Sequence, residues 1–512
     1  MNKIIRYVVL PSAGIVVVVL ALAAYLAATF DPNQYKPQIV QAVKDNTGRT
    51  LKLDGDIKLS FFPDIGATLG KASLSERASD TEFAGADDFH LVLKLLPLLK
   101  KQAVVDAIEA TNLRATVIRY EDGKTNIDDL ISGAKSASAR GAGDSQVKVE
   151  IQHVTIKNAT ITYFDRVEES QYVFSKLNLK SGRVANGVPN KIELSFTAQS
   201  DMPRLNLDTK LRTTFTFDLD QQNYALSGLD LSANGFAAGI RNLAASAKAD
   251  IVATPASNEF QFSKLAIAAT GTHESGTLDI RLDVPSFAVI HDETSAEKIV
   301  LEATLSQPKS KLAAKLEISG IHGNAKLFKA SEFRAALEMQ HGGGTNKATI
   351  TSPLAGSIEA DKIELPKLVA TINVRNPKLP KNPLDATISG TALVELVKQN
   401  ATLIFATKVD DSNIRGKAGL AKFARPFYTF DIDIDQLDLD RYLPKPDPKQ
   451  PFDLSALKGL NARGSVKIGA LKMGNVKASN ARFDVNPADG RGNAGSATRF
   501  LPMDSFGARF RG

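Results

Sequence analysis

The stretch Leu211–Asp220, LRTTFTFDLD, decides the fold class of this 512-residue chain. Leu211, Phe215, Phe217 and Leu219 occupy alternate positions, and charged or threonine side chains fill most of the positions between them. Successive side chains of a β-strand point to opposite faces, so a period of two predicts a strand with one apolar and one polar face. We therefore expect this strand to expose two chemically different surfaces.

The same period of two dominates residues 147–374 and returns at 430–435 and 464–485. The pattern predicts repeated hairpins in a growing antiparallel sheet. A corner-like phrase recurs at irregular spacing, which argues against a strict solenoid. The phrase reads FSKLNL from Phe174, LSGLDL from Leu226, FSKLAI from Phe262 and IDQLDL from Ile434. One run, Ile388–Val397, fits either a helix or a strand.

The run Tyr7–Phe30 carries no charge and is long enough to cross a hydrocarbon core about 30 Å thick. Lys3 and Arg6 precede it, and basic residues favour the cytoplasmic side of a membrane. We therefore expect a single-pass anchor with a cytoplasmic N-terminus and the chain after about residue 31 outside. A cleaved signal peptide is the alternative, although the apolar run is longer than a usual signal.

The composition and the residue spacing argue against catalysis, metal binding and nucleic-acid binding. Cysteine is absent, and the net charge of +7 is spread thinly, without the basic cluster of a nucleic-acid surface. The six histidines have no metal-ligand spacing, and Asp431, Asp433 and Asp435 alternate with apolar residues as in a strand rather than a calcium loop. No set of nucleophile, base and orienting group is visible. We expect no enzyme activity, no cofactor, no metal and no nucleic-acid partner.

These patterns divide the chain into six parts. The predicted parts are an anchor at 1–30, an N-terminal module at 31–132, a flexible linker at 133–145, a sheet body at 146–443, a proline-rich joint at 444–451 and a C-terminal β segment at 452–512. After about residue 490 the sequence becomes rich in arginine and glycine and loses its period. We interpret this tail as truncated or altered in reading frame, in which case the last strands of the sheet would be missing.

Three phrases resemble signatures of the AsmA family. The first lies within residues 30–76, the second joins residues 119–126 to Asp129 and Leu130, and the third covers residues 434–443. The matching positions of the first and third phrases are Asp31, Pro32, Tyr35, Thr47, Gly48, Arg49, Gly55, Pro63, Asp438, Asp440, Arg441 and Tyr442. The resemblance therefore touches both ends of the chain, while the middle rests on pattern alone.

The resemblance implies a bacterial inner-membrane protein with a periplasmic body that serves outer-membrane biogenesis. The family is similar to chorein-type bridge proteins, in which lipid tails move along an apolar groove. The expected fold is mainly β with few short helices: one N-terminal transmembrane helix, then an elongated, twisted antiparallel sheet with an apolar groove.

Leu211, Phe215, Phe217 and Leu219 are the candidate groove residues in this interpretation. The inner membrane and phospholipids are the expected partners, with outer-membrane or other envelope proteins as further candidates. The alternative function is a non-enzymatic scaffold or regulator that assists outer-membrane protein assembly.

Overall fold

The structure is a computed structural model that describes most of the chain. The described residues are 31–60, 65–94, 104–130, 150–377, 381–442, 461–474, 476–485 and 499–502. The predicted anchor, linker and proline-rich joint lie outside these ranges, as does Pro63. Within the described ranges, no helix is long and apolar enough to cross a membrane. The described residues are mainly β, as predicted, and the chain divides into two compact units, Met1–Ala253 and Thr254–Gly512.

The described residues of the first unit include an α-helix, a short 3-10 helix and fourteen strands. These elements are the 3-10 helix Pro32–Tyr35, α1 Lys36–Thr47, β1 Leu51–Leu53, β2 Ile57–Ser60, β3 Ile65–Leu69, β4 Ala72–Ser75, β5 Glu82–Ala86, β6 Asp88–Leu93, β7 Val104–Thr111, β8 Arg114–Arg119, β9 Glu150–Asp165, β10 Ser170–Ser181, β11 Asn190–Asp201, β12 Arg204–Asp218, β13 Asn223–Ala237 and β14 Ile240–Thr254. Helix α1 ends at Gly48, which adopts a left-handed φ of 68° that glycine tolerates without strain.

The second unit is also built from strands. Its elements are the 3-10 helices Pro255–Ser257 and Leu439–Arg441 and the strands β15 Glu259–His273, β16 Gly276–Ile290, β17 Glu293–Gln307, β18 Ser310–Gly323, β19 Phe328–His341, β20 Gly344–Ser357, β21 Lys362–Arg375, β22 Leu384–Glu395, β23 Asn400–Val409, β24 Ser412–Ala421, β25 Phe427–Asp438, β26 Ala462–Met473, β27 Val476–Val485 and β28 Arg499–Pro502. The ambiguous run 388–397 thus lies mostly in a strand. Within the C-terminal tail, β28 pairs antiparallel with β27.

Strand β9 organises the N-terminal module of the first unit. Its first half pairs with β7 and its second half with β8, both in parallel. Beyond β7 the order is β6, β3, β2, and beyond β8 it is β5, β4, β1. Asn158 separates the two halves of β9 with a left-handed φ of 53°. Its side chain donates to Asn112, and Asn112 in turn donates to Asp87, so polar side chains link three strands where the halves divide.

From β9 to β14 the first unit continues as an antiparallel sheet in chain order. The recurring corner-like phrase marks the places where the ladder shifts register. Its third residue has a left-handed φ at Lys176 and Gly228 in this unit, and the register shifts beside each of them. Such a residue is a β-bulge, which moves the alternation of side chains by one position and bends the strand.

The second unit also consists of strands paired mainly in chain order, with register shifts at particular residues. Strands β15 to β25 pair antiparallel in chain order, β25 pairs with β26 in parallel, and β27 and β28 complete the sheet. Lys264, in the third copy of the phrase, has a φ of 55°. Pro353 and Pro366 lie in other register breaks, where the backbone N–H that proline lacks is not needed by the ladder. In the fourth copy, however, the third residue Gln436 does not have a positive φ.

Candidate functional site: the apolar sheet faces

The predicted strand around Leu211 forms the centre of the candidate site in the first unit. Leu211, Phe215 and Phe217 lie at alternate positions of β12, and the two phenylalanine rings stack with centroids 5.8 Å apart. Leu219 does not join them: β12 ends at Asp218, and Leu219 lies in the following turn with 61% of its surface exposed. The backbone amide of Leu219 donates to the side-chain oxygen of Asn186 at 2.8 Å, which holds this residue in the turn.

The apolar side chains of neighbouring strands lie directly opposite one another. One row across β10 to β14 consists of Leu179, Leu194, Leu211, Leu231 and Ala247. Directly opposed residues have Cβ atoms about 5 Å apart, so these side chains contact across the ladder. The first unit therefore presents an apolar sheet face, which we call the apolar face of that unit.

The other side of the same strands carries charges of alternating sign. Lys180, Glu193, Arg212, Asp230 and Lys248 are register partners on β10 to β14. Opposite charges at opposed positions stabilise the ladder, and a slip of one residue would place every charge on the apolar face. The charge row thus fixes which side of each strand is apolar.

The second unit has an apolar face of the same construction. One row crosses β16 to β22 and contains only apolar side chains: Leu282, Leu301, Leu316, Ala335, Ile350, Ala370 and Ile388. Nearby on the same face, Leu337 is 46% exposed and Met339 is 41% exposed. Large apolar residues that stay this exposed on a contiguous face commonly mark a binding surface. The described residues leave this face partly open.

Ion pairs cover the opposite face of the second unit. The Lys315 ammonium lies 3.0 Å from the Glu302 carboxylate on the neighbouring strand, and the Lys347 ammonium lies 3.1 Å from Glu338. The hydrogen bond to Glu302 raises the pKa of Lys315, and hydrogen bonds from Gln340 and then from Lys347 lower the pKa of Glu338. At these positions the two faces of the sheet therefore differ in chemistry, with ion pairs on one side and apolar rows on the other.

The signature residues, which match the family phrases, lie elsewhere, and several of them form two polar clusters. In the first, Arg49 is 1% exposed and binds the Asp129 carboxylate with Nε at 3.0 Å and a terminal nitrogen at 2.9 Å. The guanidinium also donates to the backbone oxygens of Ser75 and Asn126 and lies 4.6 Å from the ring centre of Phe83. The hydrogen bond from Arg49 holds the pKa of Asp129 below its ordinary value. Two phrases 80 residues apart in sequence thus meet in one buried ion pair.

The third phrase forms the second cluster, beside the turn between β23 and β24. The Tyr442 hydroxyl donates to Asp410 at 2.7 Å, and Lys381 binds the same carboxylate. Burial and this hydrogen bond raise the pKa of Tyr442 to about 12, and the hydrogen bond from Lys381 is the main cause that lowers the pKa of Asp410. Arg441 binds Asp411 at 2.8 Å. Sequence reasoning did not find Lys381 or Asp410, because no local pattern links them to Tyr442.

The remaining signature residues serve local structure. Asp31 accepts from the backbone amide of Asn33, Pro32 and Tyr35 bound the first 3-10 helix, the Thr47 hydroxyl donates to Val43, and Asp438 and Asp440 bind the Lys472 ammonium and the Gly474 amide. Gly55 sits where two backbones cross: a Cβ there would lie 2.5 Å from the Cα of Gly70. These residues therefore position strands and turns.

Within the described ranges, no group of three or more histidine, aspartate or glutamate side chains is placed to hold a metal ion. Asp431, Asp433 and Asp435 alternate along β25, as the pattern predicted for a strand.

Comparison with known proteins agrees with this architecture. The sequence profile of the AsmA family matches residues 1–446. The chain is also 20% identical over 230 residues to Protein AsmA of Escherichia coli (strain K12), a match that covers 43% of this chain and 36% of that protein. The chain therefore spans little more than a third of the length of this relative, and comparison with solved structures gives no significant match. Because the family profile covers most of its length, the chain belongs to the AsmA family, and this membership suggests a role connected with biogenesis of the cell envelope and outer membrane.

Proposed function

We propose that this protein binds phospholipid on its apolar sheet faces and supports phospholipid transport between the inner and outer membranes. The observation that carries the proposal is the unbroken apolar row of the second unit, which crosses β16 to β22 and is accompanied by half-exposed residues such as Leu337. A closed core would bury such side chains almost completely. An acyl chain would cover them.

The physical mechanism is passive and needs no catalytic group. Each buried methylene contributes about 0.8 kcal/mol, so an acyl tail gains its affinity from many weak contacts along the rows. The hydrophobic effect has no direction, and a tail can therefore shift from one row to the next at little cost. The head group stays in water at the edge of the face, which then forms the wall of a groove.

The location belongs to the same proposal. The uncharged run Tyr7–Phe30 serves as a single inner-membrane anchor, with Lys3 and Arg6 on the cytoplasmic side and the two units in the periplasm. An anchored sheet would collect lipid next to its source. Phospholipid and the inner membrane are the proposed partners, and the protein acts as a non-enzymatic carrier.

The test is the amount of phospholipid retained by the purified full chain, measured by mass spectrometry after free detergent is removed. The wild type should retain phospholipid in stoichiometric amounts. The double variant Leu301→Glu/Leu337→Glu places charges on the apolar face, at side chains 36% and 46% exposed, and should lose most of that lipid. A charge cannot stay in contact with an acyl tail without a large desolvation cost.

The structure supplies a matched control. Val369 and Ile404 are 40% and 56% exposed, but they lie on the opposite face of their strands. Val369→Glu/Ile404→Glu should retain lipid like the wild type. A lipid-free wild type would overturn the proposal in favour of a scaffold. Equal retention in both variants, or equal loss, would show that the apolar face is not the binding surface.

A further inference from the structure

The polar face of the second unit contains a cavity that the apolar rows do not explain. Its volume is about 930 Å³, and strands β22 to β27 line it. Arg415, Asp433, Lys467 and Arg482 follow one another on β24 to β27, each directly opposite the next. These side chains lie on the face opposite to the apolar rows, because their strand neighbours such as Ile434 belong to the apolar face.

The charges in this row are not balanced. Lys467 and Arg482 are directly opposed on neighbouring strands, and like charges at such positions destabilise a sheet. Arg415 and Lys467 share one carboxylate, and each lies 3.9 Å from Asp433, too far for a hydrogen bond. The Arg482 Nε binds Asp484 at 3.0 Å along its own strand. The terminal nitrogens of these cations therefore keep most of their capacity to bind an anion.

The next row adds to the imbalance. Lys408 lines the same cavity, and within the described residues no carboxylate pairs with it. Asp435 is the second carboxylate of the cavity, but it accepts hydrogen bonds from the backbone and side chain of Asn413 and from the backbone of Gln436. The neutral donors hold this carboxylate in place. Four cations thus face the cavity beside two carboxylates.

Two cations elsewhere on the polar face of this unit are closely paired with carboxylates. Lys315 lies 3.0 Å from Glu302, and Lys347 lies 3.1 Å from Glu338, both at hydrogen-bond distance. The cations that line the cavity, in contrast, outnumber its two carboxylates. Its volume falls in the range of small-molecule sites, about 300 to 1,000 Å³.

We propose that this cavity binds a phosphate-bearing anion, with the phosphate held between Lys467 and Arg482 and with Arg415 and Lys408 at its edge. A phosphate accepts charge-assisted hydrogen bonds from both opposed cations and removes their repulsion. The site lies on the face opposite to the proposed acyl contacts, so it does not depend on the proposed lipid binding. The phosphate belongs either to a soluble compound or to a lipid head group, and the shared chemistry is the phosphate itself.

The experiment is isothermal titration calorimetry of the full chain in detergent at physiological ionic strength, with inorganic pyrophosphate as the probe. The wild type should show saturable binding. Lys467→Gln/Arg482→Gln should weaken binding by at least about tenfold, since each lost charge-assisted hydrogen bond accounts for about a factor of ten. The matched control Arg281→Gln/Lys347→Gln removes two paired cations outside the cavity and should leave the affinity unchanged.

A second readout separates binding from folding. Without added anion, Lys467→Gln should melt at a higher temperature than the wild type, because the repulsion across the ladder is removed. With pyrophosphate the order should reverse, since the wild type binds the anion more tightly and gains more stability from it. Absence of saturable binding to the wild type, equal weakening in the control variant, or melting that does not reverse would each overturn the proposal.

Titration with a second ligand identifies the source of the phosphate. Glycerophosphoglycerol carries the phosphodiester of an anionic phospholipid head group without its tails. Binding of both probes at the same residues would assign the site to a lipid head group, and binding of pyrophosphate alone would assign it to a soluble phosphate compound. Both results support the phosphate site and differ only in its source.

Discussion

The buried ion pair of Arg49 offers the sharpest test of the N-terminal module. We consider the substitution Arg49→Gln. It leaves Asp129, whose side chain is 18% exposed, without its bidentate partner, and it leaves the backbone oxygens of Ser75 and Asn126 without their donors. A glutamine is too short to reach all three groups. The module would therefore keep a partly buried charge with no opposite charge beside it.

The expected loss of stability follows from these contacts. Breaking a buried ion pair by removing one partner costs about 3 to 5 kcal/mol, chiefly because the remaining charge stays desolvated. A loss of 3 kcal/mol increases the population of the open module by roughly 150-fold at 25 °C. The effect should be local, since the described partners of Arg49 lie in β4, the β4–β5 turn, β5 and residues 126–129.

The assay is hydrogen–deuterium exchange of the full chain, followed in peptides that cover residues 47–60 and 116–130. Both should exchange roughly a hundredfold faster in Arg49→Gln, whereas peptides from β15 to β21 should not change. Arg114→Gln is the matched control, because Arg114 is 43% exposed in its pair with Asp87, and such a pair is worth only about 0 to 1 kcal/mol. Equal, small effects of the two substitutions would refute the assignment of Arg49 as the central residue of this module.

Three further predictions follow from particular contacts. Tyr442→Phe removes the hydrogen bond to Asp410 and should reduce the stability of the second unit by about 1 kcal/mol in urea unfolding. In the wild type, the Tyr442 hydroxyl should remain protonated at pH 10 in ultraviolet titration because its pKa is about 12. Gly55→Ala places a methyl group 2.5 Å from the backbone of Gly70 and should lower the melting temperature of the N-terminal module; an unchanged melting temperature would contradict the close crossing. Asp129 has a lowered pKa, so its contribution to stability should be complete above about pH 4 and disappear as the pH falls through its folded value, and Asp129→Asn should abolish this acid dependence of exchange.

The two polar clusters stabilise the fold, whereas the apolar faces carry the proposed binding. The residues that match the family signatures stabilise turns and strand crossings, as Arg49 and Tyr442 illustrate. The apolar rows carry the proposed binding, and their side chains are interchangeable in kind because only surface area and shape count. Single alanine substitutions in a row such as that of Leu301 should therefore have small effects on lipid retention, whereas charges should have large ones.

The sequence by itself determined the class of fold and the two-faced character of its strands. The alternation at Leu211, Phe215 and Phe217 could be read directly, because the period of two is a local property of the backbone. The helix stop at Gly48 was equally local, since glycine is the residue that adopts a left-handed φ without strain. The corner-like phrase was visible as well, although its meaning as a bulge at Lys176 was not.

Only the tertiary structure decided which residues meet. Leu219 continued the alternation in sequence, yet the turn after Asp218 removed it from the strand. The pairing of Arg49 with Asp129 and the opposition of Lys467 to Arg482 depend on strand register over long distances. Register is set by the sum of all contacts along a ladder, with bulges that shift it by one residue, and no single stretch of sequence contains that sum.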